Sequence, residues 1–87
     1  MKVHVVDPKA VLWDGEATSV VVPASEGDLG ILPGRQPVLA ILRPGTVRIH
    51  TTQDDAAPVT LDVDAGFVSV DQDLVEIVVD NTARTRQ

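Results

Sequence analysis

The chain has 87 residues and a mass of 9.3 kDa, which is enough for one small domain and excludes a second hydrophobic core. Its 13 acidic and 7 basic residues give a formal net charge of −6, which argues against a nucleic-acid-binding protein. The sequence contains no cysteine, so disulfides, thiolate metal sites and a cysteine nucleophile are excluded. The apolar run at residues 38–42 is far below the roughly 20 residues that cross a bilayer, and no secretory signal precedes the first strand pattern. We expect a soluble, intracellular protein without direct bilayer insertion.

The composition predicts the fold class. Valine, isoleucine and threonine make up 27 of the 87 residues, and their β-branched side chains pack well on a pleated sheet. Good helix formers are scarce, and six glycines and six prolines divide the chain into short runs. This pattern is typical of an all-β protein, here a flattened antiparallel β-sandwich of two small sheets with eight to ten short strands.

Three strands are predicted in the first quarter of the chain. Valines alternate with polar residues over 2–5, and the sequence Asp7-Pro8-Lys9-Ala10 predicts a turn. A second strand at 11–13 is followed by Asp14-Gly15, a pair typical of hairpin turns. The third strand is predicted at 17–22, and its apolar end indicates burial.

The rest of the chain alternates turns with short strands. Residues 23–27 predict a loop, and two similar turns follow, at Leu32-Pro33-Gly34-Arg35 and Arg43-Pro44-Gly45-Thr46. Proline second and glycine third suit a type II turn, in which the glycine has a positive φ. Later strands are predicted at 47–50, 59–63, 66–70 and 74–79, with polar turns at 53–55 and 71–73. Residues 1–80 then form one domain, and residues 81–87 form a loose polar tail.

No arrangement of polar residues predicts catalysis, a metal or a cofactor. His4 and His50 fall on the polar phase of their strands, and no third metal ligand is implied. The serines have no histidine base placed beside them by the sequence. Two pairs of alternate aspartates, at positions 62 and 64 and at 71 and 73, lack the glycine and glutamate of a calcium-binding loop. We interpret the carboxylates as solvated surface groups.

One segment is more apolar than a connection between strands requires. Residues 27–39 place Leu29, Ile31 and other apolar side chains among glycines and prolines, which predicts a rigid loop. One acid, Asp28, among apolar neighbours is typical of a docking surface. If Gly30 has a positive φ there, valine at this position would disrupt the fold. The alternative, which the residues alone leave open, is that the apolar side chains close one end of the sandwich.

This segment resembles the amino-terminal domain of the epsilon subunit of F-type ATP synthase, a subunit called delta in mitochondria. The resemblance rests on residues 27–34 (Gly-Asp-Leu-Gly-Ile-Leu-Pro-Gly), on 37–39 (Pro-Val-Leu) and on 42–49, and it covers roughly residues 2–82. It implies a flattened β-sandwich in the rotating central stalk, bound to the gamma subunit and to the polar loops of the membrane c-ring. It also implies a mechanical role in which the domain couples ring rotation to gamma and catalyses no reaction.

The resemblance further implies which residues bind partners. The acidic position of the family's Gly-(Glu/Asp)-Leu-Gly segment faces the ring loops, and here that position is Asp28. A carboxylate there would fix the position of the domain relative to the ring loops more than it would raise the affinity between them. The partner-binding residues expected for the c-ring and gamma are Glu26, Asp28, Leu29, Ile31, Pro33, Gly34 and Arg35.

Two departures from the family pattern limit what is carried over. Many members have histidine at the place of Arg35 and a small residue at that of Gln36. Members usually continue into a two-helix domain that can inhibit ATP hydrolysis and in some cases binds ATP, whereas this sequence ends seven residues after Asp80. Seven residues are too few for a stable isolated helix, so we expect neither property. We predict a non-catalytic subunit on the cytoplasmic face of a bacterial plasma membrane. The alternative is a free-standing β-sandwich adaptor, and an enzyme based on the aspartates and histidines has the least support.

Overall fold

The structure is a computed structural model that describes residues 1–34, 36–51 and 57–80. Arg35, the turn predicted at 53–55 and the tail predicted at 81–87 therefore lie outside the described residues. The described part contains nine strands and no helix, so it also contains no helix that could cross a membrane. The strands are β1 (Lys2–Val6), β2 (Val11–Glu16), β3 (Ser19–Ala24), β4 (Gly27–Ile31), β5 (Val38–Leu42), β6 (Gly45–His50), β7 (Val59–Val63), β8 (Gly66–Asp71) and β9 (Leu74–Val79). The predicted all-β fold is confirmed.

The nine strands form one hydrogen-bonded sheet that curls into two layers. The order β2-β1-β9-β8-β5 makes up one layer, and β4-β3-β6-β7 makes up the other. The layers are joined where β5 meets β3 at the pair Ala24–Leu42 and then bends into β6. All neighbouring strands are antiparallel except β1 and β9, which run parallel from Lys2–Leu74 to Val6–Val78. The sequence pattern did not predict this pairing, because it joins the two ends of the domain.

Valine and isoleucine fill the space between the layers. Alternate residues of each strand point inward, as the alternation predicted for the strands after β5. Among the described residues no polar or charged side chain is buried, so apolar burial is what holds the layers together. The completely buried side chains are Val3, Val5, Val20, Val22, Ile31, Val47, Ile49, Val68, Val75, Ile77 and Val79.

Three of the predicted turns are confirmed. The Asp7 carboxylate accepts hydrogen bonds from the N–H groups of Lys9 and Ala10, each at 2.8 Å, which closes the first turn. Gly34 has a φ of +84°, as the third position of a type II turn requires. Gln72 and Asp73 have φ values of +50° and +65°, and they form the tight connection between β8 and β9.

Two turn predictions are wrong, because strand pairing overrides the local signal. Asp14-Gly15 lies inside β2, where it pairs with β1, and a Cβ added at Gly15 would lie 3.0 Å from the Trp13 ring. Gly45 has no positive φ but begins β6, and a Cβ there would lie 2.8 Å from the Cβ of Pro23. Close packing therefore accounts for glycine at position 45 and leaves little room for a side chain at position 15, and neither glycine forms a turn.

The segment predicted as a loop is largely a hairpin. Ser25 and Glu26 connect β3 with β4, and β4 pairs with β3 along its whole length. The predictions of a loop at 23–27 and of a rigid loop at 27–39 are therefore wrong for residues 23–24, 27–31 and 38–39, which pair as strands. Gly30 lies in β4 without a positive φ and with open space around it. The expected disruption by valine depended on a positive φ, so it does not apply. Residues 32–37 connect β4 with β5.

Candidate docking surface

The tip of the β3–β4 hairpin is held by one arginine from the bend between β5 and β6. The Arg43 Nε donates a hydrogen bond to the Ala24 carbonyl oxygen at 2.9 Å, and its Nη2 donates to the Asp28 Oδ1 at 3.2 Å. The Asp28 side chain is still 61% exposed. The carboxylate is therefore oriented by the protein while much of it remains open to a partner.

The structure separates the predicted partner-binding residues into two groups. Glu26 and Asp28 are exposed at the hairpin tip, and Leu29 beside them is half-buried. Ile31 is completely buried, so its side chain belongs to the core, which agrees with the alternative that part of this segment closes the sandwich. Pro33 and Gly34 are exposed at the other end of β4, where the Gly34 N–H donates to the Asp73 Oδ1 at 3.3 Å.

Sequence reasoning missed an exposed apolar row on the outer face of the five-stranded layer. Ile41 pairs with Phe67, Phe67 with Val78, and Val78 with Val6, so four neighbouring strands place an apolar side chain at the same level. Ile41 is 61% exposed and Phe67 38% exposed. The inward phase of β1, β8 and β9 was predicted correctly, so the apolar residues on their outward phase were the signal that could have revealed this row. No inward phase was predicted for β5.

A groove of about 480 Å³ lies between the hairpin and β5. Residues 24–29 line one side of it, and residues 38–41 line the other. Leu39, at its rim, is the most exposed large apolar residue of the described chain, at 70%. Glu26 and Asp28 add negative charge to a lining whose other side chains, apart from Ser25, are apolar. The groove is thus suited to a polypeptide partner with both apolar and basic groups.

Some of the polar side chains that the sequence analysis considered as possible metal ligands have polar partners within the protein. Asp62 accepts a hydrogen bond from the Thr46 Oγ1 at 3.0 Å across β6 and β7. The His4 Nδ1 lies 3.7 Å from the Asp14 Oδ1 on the outer face of β1 and β2. Within residues 1–34, 36–51 and 57–80, no three histidine, aspartate or glutamate side chains are grouped so that they could hold a metal ion.

These features define a small β-sandwich domain with an acidic hairpin and an exposed apolar face. A family model described as the beta-sandwich domain of the ATP synthase delta/epsilon chain matches residues 1–85. The chain belongs to this family, and the resemblance found in the sequence is confirmed.

Two relatives show how the chain compares in length. It is 44% identical over 86 residues to ATP synthase epsilon chain 2 of Ralstonia nicotianae, a match that covers 99% of this chain and 60% of the relative. It is 38% identical over 86 residues to the ATP synthase epsilon chain of Frankia casuarinae, a match that covers 98% of both proteins. The chain therefore spans about three fifths of the first relative and nearly all of the second.

Solved structures contain the same fold. A chain in the central stalk and c-ring structure of Tetrahymena thermophila mitochondrial ATP synthase is similar, with a TM-score of 0.75, 22% identity, and coverage of 100% of this chain and 72% of that one. A chain of Euglena gracilis mitochondrial ATP synthase has a TM-score of 0.79 at 18% identity, with coverage of 88% and 48%. At these identities the similarity establishes the fold.

Proposed function

We propose that this chain is a central-stalk rotor subunit of an F-type ATP synthase, coupling c-ring rotation to the gamma subunit during proton-driven ATP synthesis. Its membership of the delta/epsilon family supports this role. In this proposal the subunit is structural and mechanical, catalyses no reaction and requires no cofactor. It acts as a peripheral subunit on the cytoplasmic face of a bacterial plasma membrane.

The exposed apolar row is the observation that carries the proposal. Ile41, Phe67 and their neighbours occupy consecutive strands of one face, so their apolar side chains form a continuous row. Such a patch on a small protein is typical of a protein–protein interface. We assign this face, formed by β5, β8, β9 and β1, to contact with gamma.

We assign the acidic hairpin to the c-ring and, where it borders the groove beside β5, to gamma. Glu26 and Asp28 offer carboxylate oxygens to polar loops, and such contacts would fix the register of the two bodies. Leu29 contributes apolar area beside them. The connection after β4, with Pro33, Gly34 and Arg35, remains a proposed second contact, while Ile31 supports the hairpin from the core.

The construction of the domain suits the transmission of torque. A rotor element has to transmit force without changing shape, and the interior here is filled mainly by buried branched side chains. Each of the nine strands pairs with at least one neighbour, and β5 continues into β6 across both layers. Deformation of one layer would therefore be resisted by the other.

Co-purification with gamma tests the proposal. Ile41→Glu places a charge in the apolar row, whereas Thr60→Glu places the same charge on the exposed face of β7 in the other layer. We expect the unmodified chain and Thr60→Glu to form a stoichiometric complex with gamma from the same bacterium, and Ile41→Glu to lose it. A folded, unmodified chain that does not bind gamma would contradict the proposal and favour the free-standing adaptor.

A further inference from the structure

One edge of β5 is covered over only part of its length. The pair Ala24–Leu42 is the one place where the described residues of β5 and β3 pair. It is flanked by two hydrogen bonds of 2.8 Å, from the Ser25 N–H to the Ile41 carbonyl and from the Arg43 N–H to the Pro23 carbonyl. Before Ile41, the hairpin and β5 diverge, and the groove opens between them.

The directions of these bonds show which backbone groups face the groove. In a β-strand the N–H and C=O of one residue point to the same edge, and alternate residues point the same way. Because the Ile41 carbonyl points toward the hairpin, the Ile41 N–H and both backbone groups of Leu39 point there too. Within the described chain these three groups have no hydrogen-bond partner in the protein.

The groove beside this edge has one apolar side and one side that carries carboxylates. Val38, Leu39, Ala40 and Ile41 form its apolar side. The opposite side carries the carboxylates of Glu26 and Asp28, of which Asp28 is paired with Arg43. Two carboxylates against one guanidinium leave a negative charge next to unpaired N–H and C=O groups.

We infer that the free edge of β5 at Leu39–Ile41 is a strand-addition site for an extended segment of a partner polypeptide. The segment hydrogen-bonds to the three unpaired backbone groups, packs apolar side chains on Leu39 and Ile41, and places a basic side chain opposite Glu26 and Asp28. Exposed edges accept strands in this way, with main-chain bonds giving affinity and neighbouring side chains giving specificity. A second copy of this chain is disfavoured as the occupant, because it would bring a net charge of −6 of its own to an acidic site.

Amide hydrogen exchange of the full chain, alone and in complex with purified gamma, tests the inference. We expect the Leu39 and Ile41 amides to exchange at least about tenfold more slowly in the complex. The Ala40 amide faces β8, so it serves as the internal reference that is protected in both states. This inference rests on the proposed function only in its choice of gamma as the probe.

The outcomes separate the two proposals. If gamma binds and the Leu39 and Ile41 amides still exchange freely, strand addition is wrong while the rotor role stands. If gamma does not bind at all, the rotor role is wrong. Protection that increases with chain concentration in the absence of gamma would make a second copy the occupant and overturn the choice of partner.

A pair of variants at Leu39 isolates the contribution of its backbone N–H to gamma binding. Leu39→Ala removes the side chain and keeps the N–H, whereas Leu39→Pro also removes the N–H, which has no partner within the described fold. We expect Leu39→Pro to bind gamma at least about fivefold more weakly than Leu39→Ala. Equal affinity of the two folded variants would overturn the inference, and the exchange experiment on the unmodified chain decides the question if the proline variant does not fold.

Discussion

The Arg43 Nη2 lies 3.2 Å from the Asp28 Oδ1, which joins the bend between β5 and β6 to the second residue of β4. The same guanidinium binds the Ala24 carbonyl, so one side chain connects both strands of the hairpin tip. Both partners are about half exposed, and an ion pair of this kind contributes at most about 1 kcal/mol to stability. Its main effect is therefore to orient the Asp28 carboxylate.

Replacing Asp28 by asparagine should affect function more than stability. The substitution keeps the shape of the side chain and removes its charge, so the free energy of unfolding should change by less than about 1 kcal/mol. Coupling of ATP hydrolysis to proton pumping in the reconstituted enzyme should weaken, as measured in membrane vesicles. Asp71→Asn, an exposed acid at the end of β8, is the matched control and should leave coupling unchanged. A large fall in the melting temperature of Asp28→Asn would show that the residue is structural.

Replacing Arg43 by lysine should leave the Asp28 carboxylate less well oriented. Lysine retains the charge but cannot bind Ala24 and Asp28 together with the planar geometry of a guanidinium. We expect Arg43→Lys to bind the gamma–c-ring complex more weakly than the unmodified chain, and Arg43→Gln to bind more weakly still. Arg48→Lys, on the exposed side of β6, is the control. Equal binding by all of these variants would mean that Arg43 does not position the acid.

Gly66 should be indispensable, in contrast to Gly30. Gly66 has a φ of +140°, and a Cβ there would collide with the Val78 carbonyl oxygen, so alanine combines backbone strain with a steric clash. We expect Gly66→Ala to destabilise the domain by roughly 3 kcal/mol or more. Gly30→Ala meets open space in a strand and should change stability by less than about 1 kcal/mol. Chemical denaturation of the two variants measures this difference directly, and equal stability would contradict the positions described for these glycines.

The core should be sensitive to truncation, while the exposed apolar surface should not. Ile77 is completely buried, so Ile77→Ala should lower the free energy of unfolding by about 2–5 kcal/mol. Leu39 is mostly exposed in the isolated chain, so Leu39→Ala should leave stability within about 0.5 kcal/mol. Thermal unfolding of both variants provides the check. A strongly destabilised Leu39→Ala would indicate that this residue is part of the core and is not available to a partner.

For most strands outside residues 27–42, strand identity and the direction of the inner face were predictable from the sequence because both depend on local information. Alternation of valine with polar residues determines which side of a strand is buried, and this is confirmed for Val47 and Ile49 and for Val68 and Val70. Turn chemistry was predictable where it is self-contained, as at Asp7 with its own following N–H groups. It failed at Asp14-Gly15, where pairing with β1 stabilises an extended backbone more than a local turn would.

The docking surface could be predicted only in part, because neighbours along the chain are not always neighbours in space. Strand β4 carries Pro33 and Gly34 away from the acid at position 28, while the bend after β5 brings Arg43 to it. The apolar row combines residues 6, 41, 67 and 78, whose juxtaposition depends on the register of four strands. The sequence by itself determined an acidic, valine-rich β domain, since composition and alternation act within a few residues. Only the tertiary structure decided which exposed groups share a face, since long-range pairing places them there.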